Sequence, residues 1–445
     1  MKQLRFIFGT VVFLAVGCNK QVATDDADWS KTQEIGKSAD SLSTSFTPYK
    51  WNGALLALGG EAGTFAMRFL TEDGAGWRTV PIADPGWVPL DSDPKVNRLV
   101  VTRGTIQGDK IELTFIIASL TQDGSFSKKS SRPLILDKSD IFGASTGNVH
   151  LSLADRPVTV LFAGGAMGPT QIHIPYCIRG RTMTGNTISS SAGRYNNDVF
   201  YTTDAGQSWK VDRISDSYSI LPTVCQTVNY YYFVAGKPLE NELWYSRKSV
   251  EGGGWSSPDS INQTFPSAKG DFTYRAVADG DTMHLCWLDR RNEKERLNPA
   301  YPNRQNYEVA YCYRKDSDSS WSKDIILSEG LLYAYAPSIS VDGHNVVVAW
   351  AGVQHDKDGR NEFDPSDIYY ATSKDGGKTW TKPMQVTNGF KSGLTSGRPQ
   401  VALHEDVIHL FYVQGKLNYK KVSPGMVKLN QPPWPIYYRQ RPFPN

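Results

Sequence analysis

Apolar and polar residues alternate along most of this chain in short runs broken by Gly, Asp, Asn and Ser clusters, the pattern of half-buried strands joined by turns. The clearest unit opens with Ala336-Pro337-Ser338-Ile339-Ser340-Val341, turns at Asp342-Gly343 and returns as Asn345-Val346-Val347-Val348-Ala349-Trp350. A polar loop follows, then Asp367-Ile368-Tyr369-Tyr370-Ala371-Thr372, a tight turn, and an outer strand from Thr381. This predicts a four-stranded antiparallel sheet. Similar inner strands begin near Trp51, Arg98, Val149, Ile220, Tyr274, Ala336 and Arg398, so the chain reads as all-β with seven such sheets, six or eight being the alternatives. In the third unit residues 151–164 supply the first two strands and residues 165–196 are an insertion; taking residues 173–181 as the inner strand of a further sheet is the competing count.

An eight-residue turn sits between third and outer strands: Thr202-Thr203-Asp204-Ala205-Gly206-Gln207-Ser208-Trp209, and again Ser373-Lys374-Asp375-Gly376-Gly377-Lys378-Thr379-Trp380. A hydroxyl residue, Asp and Gly suit a tight turn whose carboxylate accepts backbone N–H groups, and Trp starts the returning strand. Looser copies carry Asp316 with Trp321, Glu251 with Trp255 and Asp73 with Trp77; Asp123 lacks a Trp. The acidic positions 73, 123, 204, 251, 316 and 375 are spaced as in repeat arrays apart from one gap of 81 residues. The turn resembles the Asp-box of sialidase-like (BNR-repeat) β-propellers, which implies a single β-propeller over residues 49–445.

With 445 residues and 40% hydrophobic content the chain can bury a large core. Its 48 basic and 45 acidic residues nearly balance, and no basic run interleaves with aromatics, which excludes a nucleic-acid footprint. Residues 1–18 read as an export signal: Lys2 and Arg5, an apolar stretch over residues 6–16, and Ala15-Val16-Gly17-Cys18. This is similar to a bacterial lipoprotein signal, which implies lipidation at Cys18 and, with Asn19 next, an outer-membrane location. Residues 19–48, rich in Asp, Ser, Thr and Lys, read as a flexible tether. Cys177, Cys225, Cys286 and Cys312 have no metal-ligand spacing and read as buried small hydrophobes, although Cys286 and Cys312 on neighbouring strands would be able to pair.

In a propeller the starts of the inner strands converge on one mouth of the central channel. His284 and His409 fall mid-strand, His344 and His404 fall at turns, and His355 lies in an acidic loop with Asp356, Asp358, Asp364 and Asp367 that reads as a solvated face. His150 instead opens an inner strand and His173 lies in the insertion; Tyr218, Tyr274, Arg275, Tyr333, Tyr335 and Arg398 follow on the next sheets. Two His, several Tyr and two Arg suit β-elimination on a uronic acid. There a cation neutralises the carboxylate, a His or Tyr removes the adjacent proton, and an acid assists the departing oxygen, with no cofactor or metal. This arrangement is similar to the propeller polysaccharide lyases of the ulvan-lyase type. The resemblance implies Tyr218 or His150 as base, His173 as carboxylate or acid partner, Arg275 or Lys237 as neutraliser, and Tyr274, Tyr335 and Arg398 as substrate contacts. Lys237 stands where those lyases carry Arg.

Two alternatives stay open. A sialidase needs three arginines and a Tyr–Glu pair; Arg275 and Arg398 supply two arginines, but no Arg-Ile-Pro opens the first unit, which reads Tyr49-Lys50-Trp51-Asn52-Gly53. A non-catalytic surface propeller would bind glycans on aromatics such as Trp51, Trp77, Trp87 or Tyr230-Tyr231-Tyr232. The expected partners are an acidic poly- or oligosaccharide and, through the lipid anchor, a membrane, and the protein is expected to be a monomer.

Overall fold

The computed structural model describes most of residues 197–261, 274–291, 307–354, 366–416 and 435–444 with their side chains. It describes residues 47–137 and 166–189 chiefly as strand backbone, a hairpin within residues 418–430, and residues 23, 24 and 28–37 near the N-terminus. These residues are nearly all strand, in seven sheets of four or five strands and two two-stranded hairpins. Within a typical sheet the chain runs outward through consecutive antiparallel strands, as in Tyr274–Asp279, Thr282–Asp289, Glu308–Lys315 and Ile325–Ile326. The inner strand Ile220–Gln226 packs on Tyr274–Asp279, that strand on Leu331–Asp342, that on Leu394–His404, and the last on Thr47–Trp51 of the first sheet. This is the layout of a β-propeller. Apolar faces of adjacent sheets meet in layers, with Trp287, Cys312 and Tyr245 between the fourth and fifth sheets and Trp350, Cys286 and Tyr311 between the fifth and sixth.

Two sheets differ from the sequence expectation. In the second, Val88–Asp93 forms the inner edge, and Arg98 opens the second strand. In the third, Ala166–Met167 and Ile172–Tyr176 are the first two strands, followed by Asn197–Thr202 and Lys210–Ser215. Part of the expected insertion thus belongs to the sheet. Its strands are too short, and too interrupted by Gly and Pro, to stand out by alternation.

The outer turns staple neighbouring sheets together. At residues 373–380 the Asp375 carboxylate accepts hydrogen bonds from Lys378 N (3.0 Å), Thr379 N (2.9 Å) and Thr379 Oγ1 (2.6 Å). Burial would raise the Asp375 pKa, but these bonds and that from Ser373 outweigh it and hold the group down at about 2. Gly377 has φ 91°, and a Cβ there would strike the Tyr311 hydroxyl of the preceding sheet. Trp380 packs edge-on against the same Tyr311, ring centroids 4.7 Å apart. Trp321 does the same to Tyr245 of the fourth sheet at 5.6 Å. Asp316 instead reaches that sheet directly, accepting from Thr227 Oγ1 (2.7 Å), Tyr232 hydroxyl (3.1 Å) and Asn229 N (3.1 Å).

After each such Trp stands a Ser or Thr that exchanges two bonds with the third strand. Ser256 pairs this way with Arg247, Ser322 with Tyr313, and Thr381 with Thr372. A fourth copy comes from the other end of the chain: Ser30 N donates to Gln440 O (2.8 Å), and Gln440 N donates to Ser30 Oγ (2.9 Å). Trp29, 6% exposed, meets Tyr370 edge-on at 5.5 Å. Arg441 bonds the Tyr370 hydroxyl as Arg314 bonds that of Tyr245. The segment Gln33–Lys37 then lies antiparallel to Pro435–Pro442 as the outer strand of the seventh sheet, and Ala23–Thr24 lies parallel to Met384–Gln385. The expected tether is corrected for residues 33–37, which are the strand that joins the two ends of the chain in one sheet. Its polar composition is that of any outer strand facing water, so composition alone does not separate strand from linker.

Buried histidines support the core. His284 is 2% exposed, with Nδ1 2.7 Å from the Tyr311 hydroxyl, and burial lowers its pKa from 6.5 to about 4. Because the folded state disfavours the charged ring, its contribution is complete above pH 6.5 and drains away as pH falls towards 4. The expected loss is about 3 kcal/mol of folding stability over that window. Urea unfolding at neutral and acidic pH should show a smaller pH difference for His284→Gln than for the native chain; equal differences would contradict this. Cys286 and Cys312 are both free. They pair with Tyr311 and Leu285, one register step apart, and so point to opposite faces of the sheet, which excludes a bond between them.

Candidate functional site

Antiparallel order brings the start of each inner strand, the end of the second and the start of the third to one edge of the sheet, and these edges form one rim of the propeller. Carboxylates recur there, at Glu242, Glu308 and Asp367, opposite Lys237, Asp289 and Gly352. Asp367 is buried and accepts from Gln385 Nε2 (3.0 Å) and Thr387 Oγ1 (2.8 Å), so this member of the expected solvated loop ties the third strand to the outer one. Asp289 receives a two-pronged contact from Arg291, Nε at 2.9 Å and Nη2 at 2.7 Å, and Arg291 also reaches Asp324 at 2.7 Å.

The sixth and seventh sheets build a site on this rim. Ala336 (φ 51°) and Arg398 (φ 52°) occupy left-handed backbone, which costs a non-glycine residue about 1–3 kcal/mol. Each precedes a proline and lies in a bulge, between Tyr335 and Ser338 and between Gly397 and Gln400. The bulges re-aim Tyr335 and Arg398 relative to a regular strand. Gly397 lies against Tyr335: a Cβ there would stand 3.5 Å from its hydroxyl, an ordinary contact.

The hydrogen bonds fix the direction of the Tyr335 proton. Ser366 Oγ lies 2.6 Å from Ser396 O, 2.6 Å from the Tyr335 hydroxyl and 2.9 Å from Thr395 Oγ1. A carbonyl only accepts, so the one Ser366 proton goes to Ser396 O, and Tyr335 and Thr395 must both donate to Ser366. Burial raises the Tyr335 pKa, the Arg398 charge pulls against it, and Asp367 adds to the rise. Tyr335 therefore keeps its proton at neutral pH and offers oxygen lone pairs beside the Arg398 cation. It offers no base at neutral pH.

The other expected residues are distributed as follows. Arg275 reaches solvent, yet enough protein surrounds it for desolvation to lower its pKa; Nη1 donates to Tyr274 O at 3.0 Å. It stays cationic. Lys237 is half-buried and paired with Glu242 at 3.1 Å. Tyr274 is corrected from substrate contact to core residue: it is 3% exposed and its hydroxyl donates to Val234 O at 2.9 Å. Tyr231 and Tyr232 are likewise core, and Tyr230 is covered by Arg247 at 4.4 Å. His173 lies in the second strand of the third sheet, between Ala166 and Tyr201 in register, rather than in a covering insertion. His150, Tyr218 and Cys18 lie outside the described residues, as does Asp204.

Sequence reasoning missed Ser366, Arg291 and Tyr307. Ser366 stood unremarked at the end of a polar loop, and Arg290-Arg291 directly after Asp289 was the available signal for a charged rim. Among the described residues no group of three or more His, Cys, Asp and Glu is arranged to hold a metal ion.

No family model matches this chain, and no curated protein does. Solved structures similar to it include Trypanosoma rangeli sialidase in complex with sialic acid, at 11% identity and TM-score 0.42, covering 92% of this chain and 59% of that one. An ulvan lyase of a new polysaccharide lyase family matches at 14% identity and TM-score 0.39, covering 70% of this chain and 79% of that one. An α-L-arabinofuranosidase catalytic domain from Coprinopsis cinerea matches at 13% identity and TM-score 0.31, covering 64% of this chain and 92% of that one. Likeness at this level says nothing about chemistry.

Proposed function

We propose that this protein acts on uronic-acid-containing oligosaccharides by β-elimination at the rim that carries Tyr335 and Arg398. The observation that carries the reading is the Arg398 cation held on strained backbone beside a protonated Tyr335, with the exposed Arg275 cation on the same rim. Such a rim suits a carboxylated sugar: a cation on the carboxylate acidifies the adjacent C–H, and Tyr335 accepts from a sugar hydroxyl. The proton leaves to Tyr218 or His150, its electron pair forms a carbon–carbon double bond, and the β C–O bond breaks. The departing oxygen takes a proton from His173 or from solvent. Of the two expected neutralisers Arg275 is the better, because Lys237 already serves Glu242, and Arg398 shares the charge that develops on the carboxylate. Lipidation at Cys18 would hold the enzyme at the outer membrane as a monomer.

Incubating the purified chain with ulvan-type oligosaccharides and with sialyllactose tests this. An ultraviolet-absorbing unsaturated product from the first substrate alone is expected. Free sialic acid from the second would point to a hydrolase, and binding without turnover of either would point to a glycan-binding protein.

A further inference from the structure

Beside Tyr335 a row of rings continues along the rim. Tyr333 lies 5.3 Å from Tyr335 by ring centroids, and Tyr307 of the fifth sheet, itself buried at 6% exposure, backs Tyr333 from 5.7 Å. Tyr333 and Tyr335 are half-buried, packed from below by the core that includes Leu331, Trp350 and Tyr369. Each end of the row has a cation: Arg398 acts on Tyr335, and the Arg290 guanidinium stands 6.0 Å from the Tyr307 ring centre. Tyr307 directly precedes the third strand of the fifth sheet and Tyr333 lies near the start of the inner strand of the sixth, so the two meet only because Leu331–Asp342 packs on the fifth sheet.

We infer that this row is an extended subsite for an acidic oligosaccharide, in which one acid group meets Arg398, the next sugar lies face-on against Tyr333, and a second acid group meets Arg290. The inference rests on the reading of the rim as an acidic-sugar site and deepens it by assigning chain length. A half-buried ring shows one face, and that face matches the C–H face of a pyranose, while the hydroxyl edge of the sugar stays wet. The ring spacings are comparable with the length of one pyranose unit. The cations at both ends favour a ligand with repeated negative charge over a neutral glycan. Rings pre-ordered by the core beneath them lose little entropy on binding.

Calorimetric titration of the full chain with a monouronate and with a uronate tetrasaccharide tests the subsite. The native chain should bind the tetrasaccharide more tightly than the monouronate. Tyr333→Leu should weaken tetrasaccharide binding about five- to tenfold while leaving the monouronate unchanged, and Tyr333→Phe should behave as the native chain. Arg290→Gln should reduce the salt dependence of tetrasaccharide binding alone. No gain with chain length, or equal losses for both ligands in Tyr333→Leu, would overturn the subsite. The two readings fail separately. A chain-length gain with no unsaturated product leaves the subsite standing and removes elimination, whereas turnover without the gain does the reverse.

Discussion

Trp29→Ala should cost the fold about 3–5 kcal/mol, the range for truncating a buried Trp. Trp29 is the only Trp of the staple set described above that reaches its sheet from the opposite end of the chain. It fills the space over Tyr370, and Arg441 and Arg439 both approach its ring at 5.9 Å. Its loss would leave a cavity at the seam where the polypeptide ends meet, so opening should start there. Urea denaturation gives the stability change. Hydrogen exchange locates it: faster exchange should appear first in Pro435–Pro442 and Gln33–Lys37. A variant with native stability would show that residues 28–37 are dispensable, as a tether would be. Trp321→Ala, which empties the corresponding space over Tyr245, provides the within-chain comparison.

Arg398→Gln should lower turnover of a uronate substrate by about 100- to 1000-fold, the usual effect of removing one group that stabilises developing charge. Since the glutamine side chain is a neutral hydrogen-bonding group, the loss reports charge more than shape. Folding should change less than activity, because the strained φ of 52° is imposed by the bulge and by Pro399 rather than by the guanidinium. The companion Ser366→Ala frees the Tyr335 proton from its acceptor without touching substrate. Ser366 is a positioning residue, so its variant should raise KM more than it lowers kcat. An unchanged KM would remove that role.

The all-β character and the sheet repeat were legible because strand alternation, turn residues and the Trp of most outer turns are local signals. Trp29-Ser30-Lys31 carries the same signal as Trp321-Ser322-Lys323. It was read as linker because its third-strand partner, Gln440, is at the far end of the chain. The inner edges of the second and third sheets escaped for a related reason: Ala166–Met167 is too short to show a period. Rim residues were legible where an unusual side chain stands just before an alternating inner-strand run, as with Arg275, Tyr335 and Arg398. Burial was not legible, so Tyr274 looked like a site residue although its hydroxyl is spent on Val234. Nor was the network around Ser366, whose partners Tyr335, Thr395 and Ser396 come together only when two sheets pack.

The central claim is elimination at an acidic sugar, and the most direct measurement follows the oxygen. Digesting a uronate oligosaccharide in water enriched in oxygen-18 and weighing the products by mass spectrometry distinguishes the two chemistries, because elimination breaks the C–O bond without adding water whereas hydrolysis adds one molecule. Elimination gives product masses that sum to the substrate, with no label at the cleaved linkage and a strong loss of rate in Arg398→Gln. Products that sum to one water more than the substrate, with label at the new end, would contradict it.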